Sequence, residues 1–127
     1  MTLFFLEAYE HVHKDKTQQY EQMSLDIDNK VKETEPGMLI HAQTRVSENE
    51  QEVVYRWLEV FEQYSDLQLH LESKFVQAHI QGLNEGVVCA PTEIVIYCDW
   101  SEEQKALWRQ NLGDALTFAP LVNAFFR

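Results

Sequence analysis

The chain has 127 residues, of which 45% are hydrophobic and 24% charged, with only four Gly and three Pro. That is enough for one domain with its own core and too few linker residues for a disordered protein. Twenty-one acidic residues against ten basic ones leave a net charge of −11. This balance argues against nucleic acid or an anionic membrane as partner, because each phosphate contact asks for a Lys or Arg. It also disfavours a highly charged anionic substrate.

Residues 3–12 predict a strand. Leu3, Phe5, Glu7, Tyr9 and His11 share one face; Phe4, Leu6, Ala8, Glu10 and Val12 share the other. From Lys14 the period changes. Tyr20, Met23, Ile27 and Val31 recur every three or four residues, which predicts an amphipathic helix. Glu35-Pro36-Gly37 ends it, since Pro36 cannot continue the hydrogen-bond ladder. Residues 38–46 alternate as a second strand, with Met38, Ile40, Ala42 and Val46 on one face and Leu39, His41, Gln43 and Arg45 on the other. The polar run Ser47-Glu48-Asn49-Glu50-Gln51 predicts a hairpin into a third strand over 52–61. Val53, Tyr55, Trp57, Glu59 and Phe61 take one of its faces, and Val54, Arg56, Leu58 and Val60 the other. Both faces are largely apolar, so this strand is expected to be central and covered on both sides.

Residues 63–83 predict a second helix with Leu67, Leu71, Phe75, Ala78 and Leu83 as its stripe. A β-branched run over 92–98 predicts a fourth strand. Ser101-Glu102-Glu103-Gln104 reads as a helix start, with Gly113 as its stop and an apolar tail able to form a last strand. The expected fold is therefore α+β: a ferredoxin-like split β-α-β antiparallel sheet with an extra C-terminal helix and strand. The whole chain, 1–127, is expected to be one domain, with a core over about 3–98 and an extension over 101–127. Helices would cover one face of such a sheet. The apolar residues on the other face predict a homodimer, because a second copy is the simplest cover.

Cys89 and Cys98 form no C-x-x-C pair, and two free thiols in a reducing cytoplasm are expected. The N-terminal apolar run is too short for a signal peptide, and no segment approaches the roughly 18 apolar residues of a membrane span. The protein is expected to be soluble and cytoplasmic. His11 and His13 would share a strand face, but no spacing nominates a third ligand, so no metal is expected. No glycine-rich nucleotide motif is present either.

The most informative stretch is 57–79. It holds Trp57-Leu58-Glu59-Val60-Phe61 and then His70-Leu71-Glu72-Ser73-Lys74-Phe75. A strand ending in Glu-x-aromatic followed by a helix with His-Leu-x-Ser resembles the antibiotic biosynthesis monooxygenase family, and Glu35-Pro36-Gly37 before strand two fits it too. Lys74 departs from the family, which often has Pro there. The resemblance covers about 3–98 and implies a dimeric α/β barrel. It also implies oxidation of a small aromatic, quinol or polyketide-like molecule by O2, without metal or flavin. Such chemistry needs an apolar cavity, a base or hydrogen-bond donor, and exclusion of water.

On that reading His70 is the base or donor and Glu59 its acid-base companion. Trp57, Tyr55, His41, Phe5 and His79 line the substrate site. Each has a plainer alternative. His70 would fix its helix to the sheet, Glu59 would pair with a neighbouring donor, and Trp57 and Tyr55 would be core or interface residues. His79 raises a geometric condition. Nine residues along a straight helix turn through about 900°, a net half turn. His70 and His79 can share a pocket only if the helix breaks between them, and Ser73 could cap the second piece. Phe75-x-x-Ala78-His79 also resembles the haem-degrading branch, in which a His at this position binds haem iron. That branch adds a Trp about ten residues earlier and an Asn on strand one. Leu69 and a strand without Asn stand here instead. Two non-oxygenase alternatives therefore remain: a non-catalytic or stress-associated protein holding an apolar ligand, and a haem binder.

Overall fold

The computed structural model describes residues 4–127; Leu3, assigned to a face of the first strand, lies outside them. The strands are β1 (Phe4–His13), β2 (Met38–Glu48), β3 (Glu52–Phe61), β4 (Glu93–Cys98) and β5 (Leu116–Pro120). The α-helices are α1 (Thr17–Thr34), α2 (Tyr64–Glu72), α3 (Lys74–Leu83) and α4 (Glu102–Leu112). The five strands form one sheet in the order β2-β3-β1-β4-β5. β1 lies between β3 and β4, antiparallel to both, and β2 pairs antiparallel with β3. This is the expected ferredoxin-like arrangement. The extra strand β5 runs parallel to β4, because the chain returns through the crossover helix α4, and it makes the sheet mixed.

Alternation along the strands separates the two sheet faces. Phe4, Leu6, Ala8, Glu10 and Val12 of β1 are all buried, while Phe5, Glu7, Tyr9 and His11 between them are half-buried. On β3, Val53, Tyr55, Trp57, Glu59 and Phe61 are buried in the same phase. The helices cover this face; α1 sends in Tyr20, Ser24, Ile27 and Val31. The other face carries half-exposed Phe5, Val54, Leu58 and Tyr97.

Two local features depart from simple alternation. A register shift between Met38 and Ile40 opposes Met38 to Phe61. Met38, expected beside Ile40 and Ala42, therefore packs on the core instead. The loop before it needs Gly37, because a Cβ there would stand 2.1 Å from Oδ1 of Asp66. Asp66 Oδ2 is in turn committed to the N–H of Gln63 at the start of α2. At the C-terminal end, Ser101 Oγ accepts from Gln104 N–H to cap α4, and Gly113 ends that helix at φ 59°. The extension packs Trp100, Trp108 and Phe118 around Tyr64 and Phe4. Cys89 is exposed and Cys98 buried, both as free thiols. Among the described residues no helix is long and apolar enough to cross a membrane.

Candidate functional site

The helix over 63–83 breaks at Ser73. Its backbone leaves the helical region at φ −60°, ψ 129°, while its Oγ accepts from the N–H groups of Phe75 at 3.3 Å and Val76 at 3.5 Å. Ser73 thus ends α2 and caps α3. Lys74 occupies the first position of α3, where the Pro common in the resembling family is also well tolerated. The break resets the helical phase. Leu67 and His70 of α2 face the sheet, and Val76, His79 and Leu83 of α3 do so again. Ala78, expected in the buried stripe, is exposed for this reason.

His70 is 6% exposed and sits between two carboxylates. Its Nδ1 lies 2.8 Å from Oε1 of Glu35, and its Nε2 lies 2.9 Å from Oε1 of Glu59. Glu35, at the end of α1, and Glu59, on β3, are themselves buried. Burial disfavours the charged ring, but its hydrogen bonds to Glu35 and Glu59 outweigh that and raise the His70 pKa to about 9. At neutral pH His70 is an imidazolium that donates from both nitrogens. It has no lone pair with which to accept a proton.

Glu59 also faces His41 of β2, whose Nε2 is 3.9 Å from the same oxygen. The His41 ring stacks on Trp57 at 4.1 Å, and its Nδ1 lies 2.8 Å from Asp28 of α1. Trp57 Nε1–H donates to Glu10 Oε1 at 3.0 Å, and Tyr20 O–H donates to the same oxygen at 2.6 Å.

Glu10, His41, Trp57, Glu59 and His70 border a partly open cavity of about 250 Å³ between the sheet and α1–α3. Its walls are mainly apolar: Leu6, Ala8, Ile27, Leu67, Val76, Ile94 and Ile96 among them. Leu112 of α4 also reaches it, so the extension both widens the sheet and contributes to the cavity wall. Five polar side chains border it besides Asn84 and Thr92: Glu10, His41, Glu59, His70 and His79. His79 differs from His70 in having no hydrogen-bonded partner among the described residues. Burial, reinforced by the nearby charges of His41 and His70, pulls its pKa down to about 4. It is a neutral imidazole at pH 7 with a nitrogen lone pair at the cavity.

His41, Trp57, Glu59, His70 and His79 therefore meet around one space. Tyr55 does not join them. Its ring packs on Tyr20 at 4.4 Å, its hydroxyl binds Glu21, and it faces an outer groove of about 390 Å³ between α1 and β2. His41 and Trp57 border both spaces and form the wall between them. Phe5 lies on the opposite face of the sheet, stacked on Tyr97 at 4.8 Å, because its strand phase is that of Glu7 and Tyr9. Among the described residues no three His, Cys, Asp or Glu side chains converge to hold a metal; His11 is engaged by Glu52 and Glu93.

The residues that sequence reasoning passed over are Glu10 and Glu35. Glu10 carried a signal: it is the one charge in the apolar series Phe4, Leu6, Ala8, Val12. Glu35 stood only within the Glu35-Pro36-Gly37 motif, with nothing to mark it as buried, since a helix-terminal Glu is ordinarily exposed.

Among the described residues, the α+β fold thus places a partly open, mostly apolar cavity with a few convergent polar groups between sheet and helices. No protein-family profile matches the chain, and no curated protein sequence does either. Solved structures do. A candidate antibiotic biosynthesis monooxygenase from Caulobacter crescentus superposes with a TM-score of 0.69 at 24% identity, covering 79% of this chain and 92% of that one. A second, from Deinococcus radiodurans, gives 0.65 at 16% identity over 79% and 94%. A conserved protein from Methanosarcina mazei gives 0.66 at 22% over 76% and 92%. The chain thus has the fold of the antibiotic biosynthesis monooxygenases, in agreement with the motif resemblance. The unmatched fifth of this chain is about the size of the extension 101–127.

Proposed function

We propose that the protein is a cofactor-independent monooxygenase of the antibiotic biosynthesis type, acting with O2 on a small aromatic, quinol or polyketide-like molecule held in the internal cavity. The observation that carries this reading is His79, a neutral imidazole without a hydrogen-bonded partner among the described residues, at a mostly apolar cavity. His79 accepts the substrate's acidic proton as negative charge passes from the substrate to O2, because an imidazole held at a pKa of about 4 does not draw the proton off beforehand. For a methylene flanked by aromatic rings the balance closes without a reductant. The CH2 becomes C=O, one oxygen atom enters the product, and the other leaves as water with the two hydrogens. His70, with Glu35 and Glu59, holds α2 against the sheet and supplies a fixed positive charge near the developing anion. Trp57 and His41 form the wall on the side of the outer groove. The working unit is a homodimer in which a second copy covers the apolar sheet face around Phe5, Val54 and Leu58.

The test is oxygen uptake by the purified protein with hydroquinones, naphthoquinols and anthrones. Uptake above the uncatalysed rate, lost in His79→Gln at an unchanged unfolding midpoint, is the expected result. Uptake retained in that variant removes His79 from the chemistry. Binding without uptake across the panel favours a second reading, a ligand-holding protein without turnover. The capture of both His70 nitrogens by carboxylates supports that second reading.

A further inference from the structure

Glu10 is buried in the sheet–helix interface at 6% exposure, and no basic side chain pairs with it among the described residues. The one buried cation nearby, His70, is committed to Glu35 and Glu59. Both known contacts of Glu10 fall on the same oxygen. Trp57 Nε1–H can only donate. Tyr20 could in principle donate or accept, but Gln43 Nε2–H donates to its oxygen at 2.8 Å. The single Tyr20 hydrogen is therefore directed to Glu10 Oε1. This chain of donors, Gln43 to Tyr20 to Glu10, makes Oε1 the accepting oxygen of the carboxyl. Oε2 has no protein partner among the described residues, and the Glu10 side chain borders the cavity.

A carboxylate buried with no cation and with Glu59 nearby is expensive in its ionised form, and burial raises its pKa accordingly. The hydrogen bonds from Tyr20 and Trp57 pull the other way without reversing the direction, and with Oε1 accepting twice a proton taken up by this carboxyl goes to Oε2. We propose that Glu10 is a ligand-binding residue whose Oε2–H donates a hydrogen bond to a carbonyl or hydroxyl oxygen of a neutral aromatic ligand in the cavity. This rests on the reading above that the cavity holds a small molecule, and it adds the polarity of that molecule. The ligand presents an acceptor oxygen towards β1 and an acidic proton towards α3, and it carries no carboxylate. An anionic group would meet the carboxylate of Glu59, which has only a share of the His70 charge because Glu35 takes the rest, across a space of about 250 Å³.

Glutamine is the discriminating substitution, because its amide copies a protonated carboxyl: one oxygen to accept from Tyr20 and Trp57, and one N–H to donate inward. The probes are 1,4-naphthoquinone, naphthalene and 1-naphthoate, titrated against wild type, Glu10→Gln and Glu10→Leu by quenching of tryptophan fluorescence. Infrared spectra of wild type and Glu10→Gln report the carboxylic-acid C=O band directly. The expected result is naphthoquinone binding within about twofold of wild type in Glu10→Gln and at least tenfold weaker in Glu10→Leu. Naphthalene should bind all three proteins alike, naphthoate should bind none, and an acid C=O band should vanish in Glu10→Gln. Naphthoquinone binding that falls equally in both variants, or a wild-type spectrum without that band, overturns the assignment of Glu10 while naphthalene binding still upholds the cavity. Failure of every probe, naphthalene included, removes the cavity reading and this inference together. Circular dichroism and urea midpoints of both variants separate loss of the donor from loss of the fold.

Discussion

The buried triad of Glu35, His70 and Glu59 makes a quantitative claim about stability and pH. An imidazole has an ordinary pKa of 6.5, and in the fold His70 is held at about 9. The folded state therefore binds a proton more tightly than the unfolded chain. The resulting stability is fully present below pH 6.5 and is lost as pH rises through 9. The gap between the two values corresponds to about 3 kcal/mol. His70 is nearly inaccessible, so little of this is removed by solvent screening. His70→Gln deletes the cation and leaves Glu35 and Glu59 buried without it. Removing one partner of a buried pair costs about 3–5 kcal/mol.

The penalty of His70→Gln should accordingly be largest near pH 6.5 and shrink by about 3 kcal/mol by pH 9.5, where the wild-type ring is itself neutral. Urea unfolding of both proteins at one protein concentration, at pH 6.5, 7.5, 8.5 and 9.5, measures this directly if the slopes stay equal. A penalty that is constant across the series, or a wild-type stability that is flat from 6.5 to 9, would show that His70 is not charged in the fold. Its availability as a base would then have to be reconsidered.

Three further expectations follow from single contacts. Ser73→Ala removes the cap of α3 and should lower stability by about 1 kcal/mol, read from the urea midpoint; no change would mean that packing alone breaks the helix. His79 has its pKa depressed to about 4, so the unfolded chain binds its proton first, and the associated stability is lost as pH falls from 6.5 towards 4. His79→Leu should flatten that acid limb of the pH–stability profile, and an unaltered limb would place the ring in solvent. Phe5→Glu puts a charge on the sheet face that the helices leave uncovered, beside Tyr97 and Phe126, and should halve the mass seen by light scattering with the secondary structure unchanged; a wild type already monomeric at micromolar concentration refutes the dimer.

Most of the fold was legible because alternation and helical period are local signals. Strand β3 was bounded at both ends by the hairpin Asn49 and by Phe61, and the four-strand core followed from element order. The direction of β5 was not legible, since an apolar tail carries no information about parallel or antiparallel pairing. The bulge that turns Met38 inward was hidden for the same reason: one extra residue changes the phase without changing composition. At the site, Ser73 offered a specific condition, and the structure meets it. His70 was visible as a motif residue, but its chemistry depends on Glu35, which is 35 residues away in sequence and looks like an ordinary helix end. Pairing at that distance sets whether an imidazole is an acid or a base. Phe5 was grouped with the site by residue type, although its own strand phase places it on the other face.

The inner face of the sheet presents a conflict between stability and retention of charge. Glu10 and Glu59 of the sheet and His70 and His79 of the facing helices border a cavity walled by Leu, Ile, Val and Trp, and Glu35 is buried beside His70; apolar side chains there would serve folding better. Buried ion pairs contribute little net stability, because desolvation of the charges offsets their attraction. The triple substitution Glu35→Met, Glu59→Met and His70→Phe keeps volume and removes every charge of the triad. It should leave the protein as stable as wild type or up to about 4 kcal/mol more so, while each of the three single substitutions destabilises. Equal or greater stability in the triple variant, measured at pH 7, would mean that folding does not need these groups and that they are kept for what the cavity holds. A triple variant less stable than its singles would make the triad a structural clamp, and the case for a reactive site would then rest on His79 and Glu10 alone.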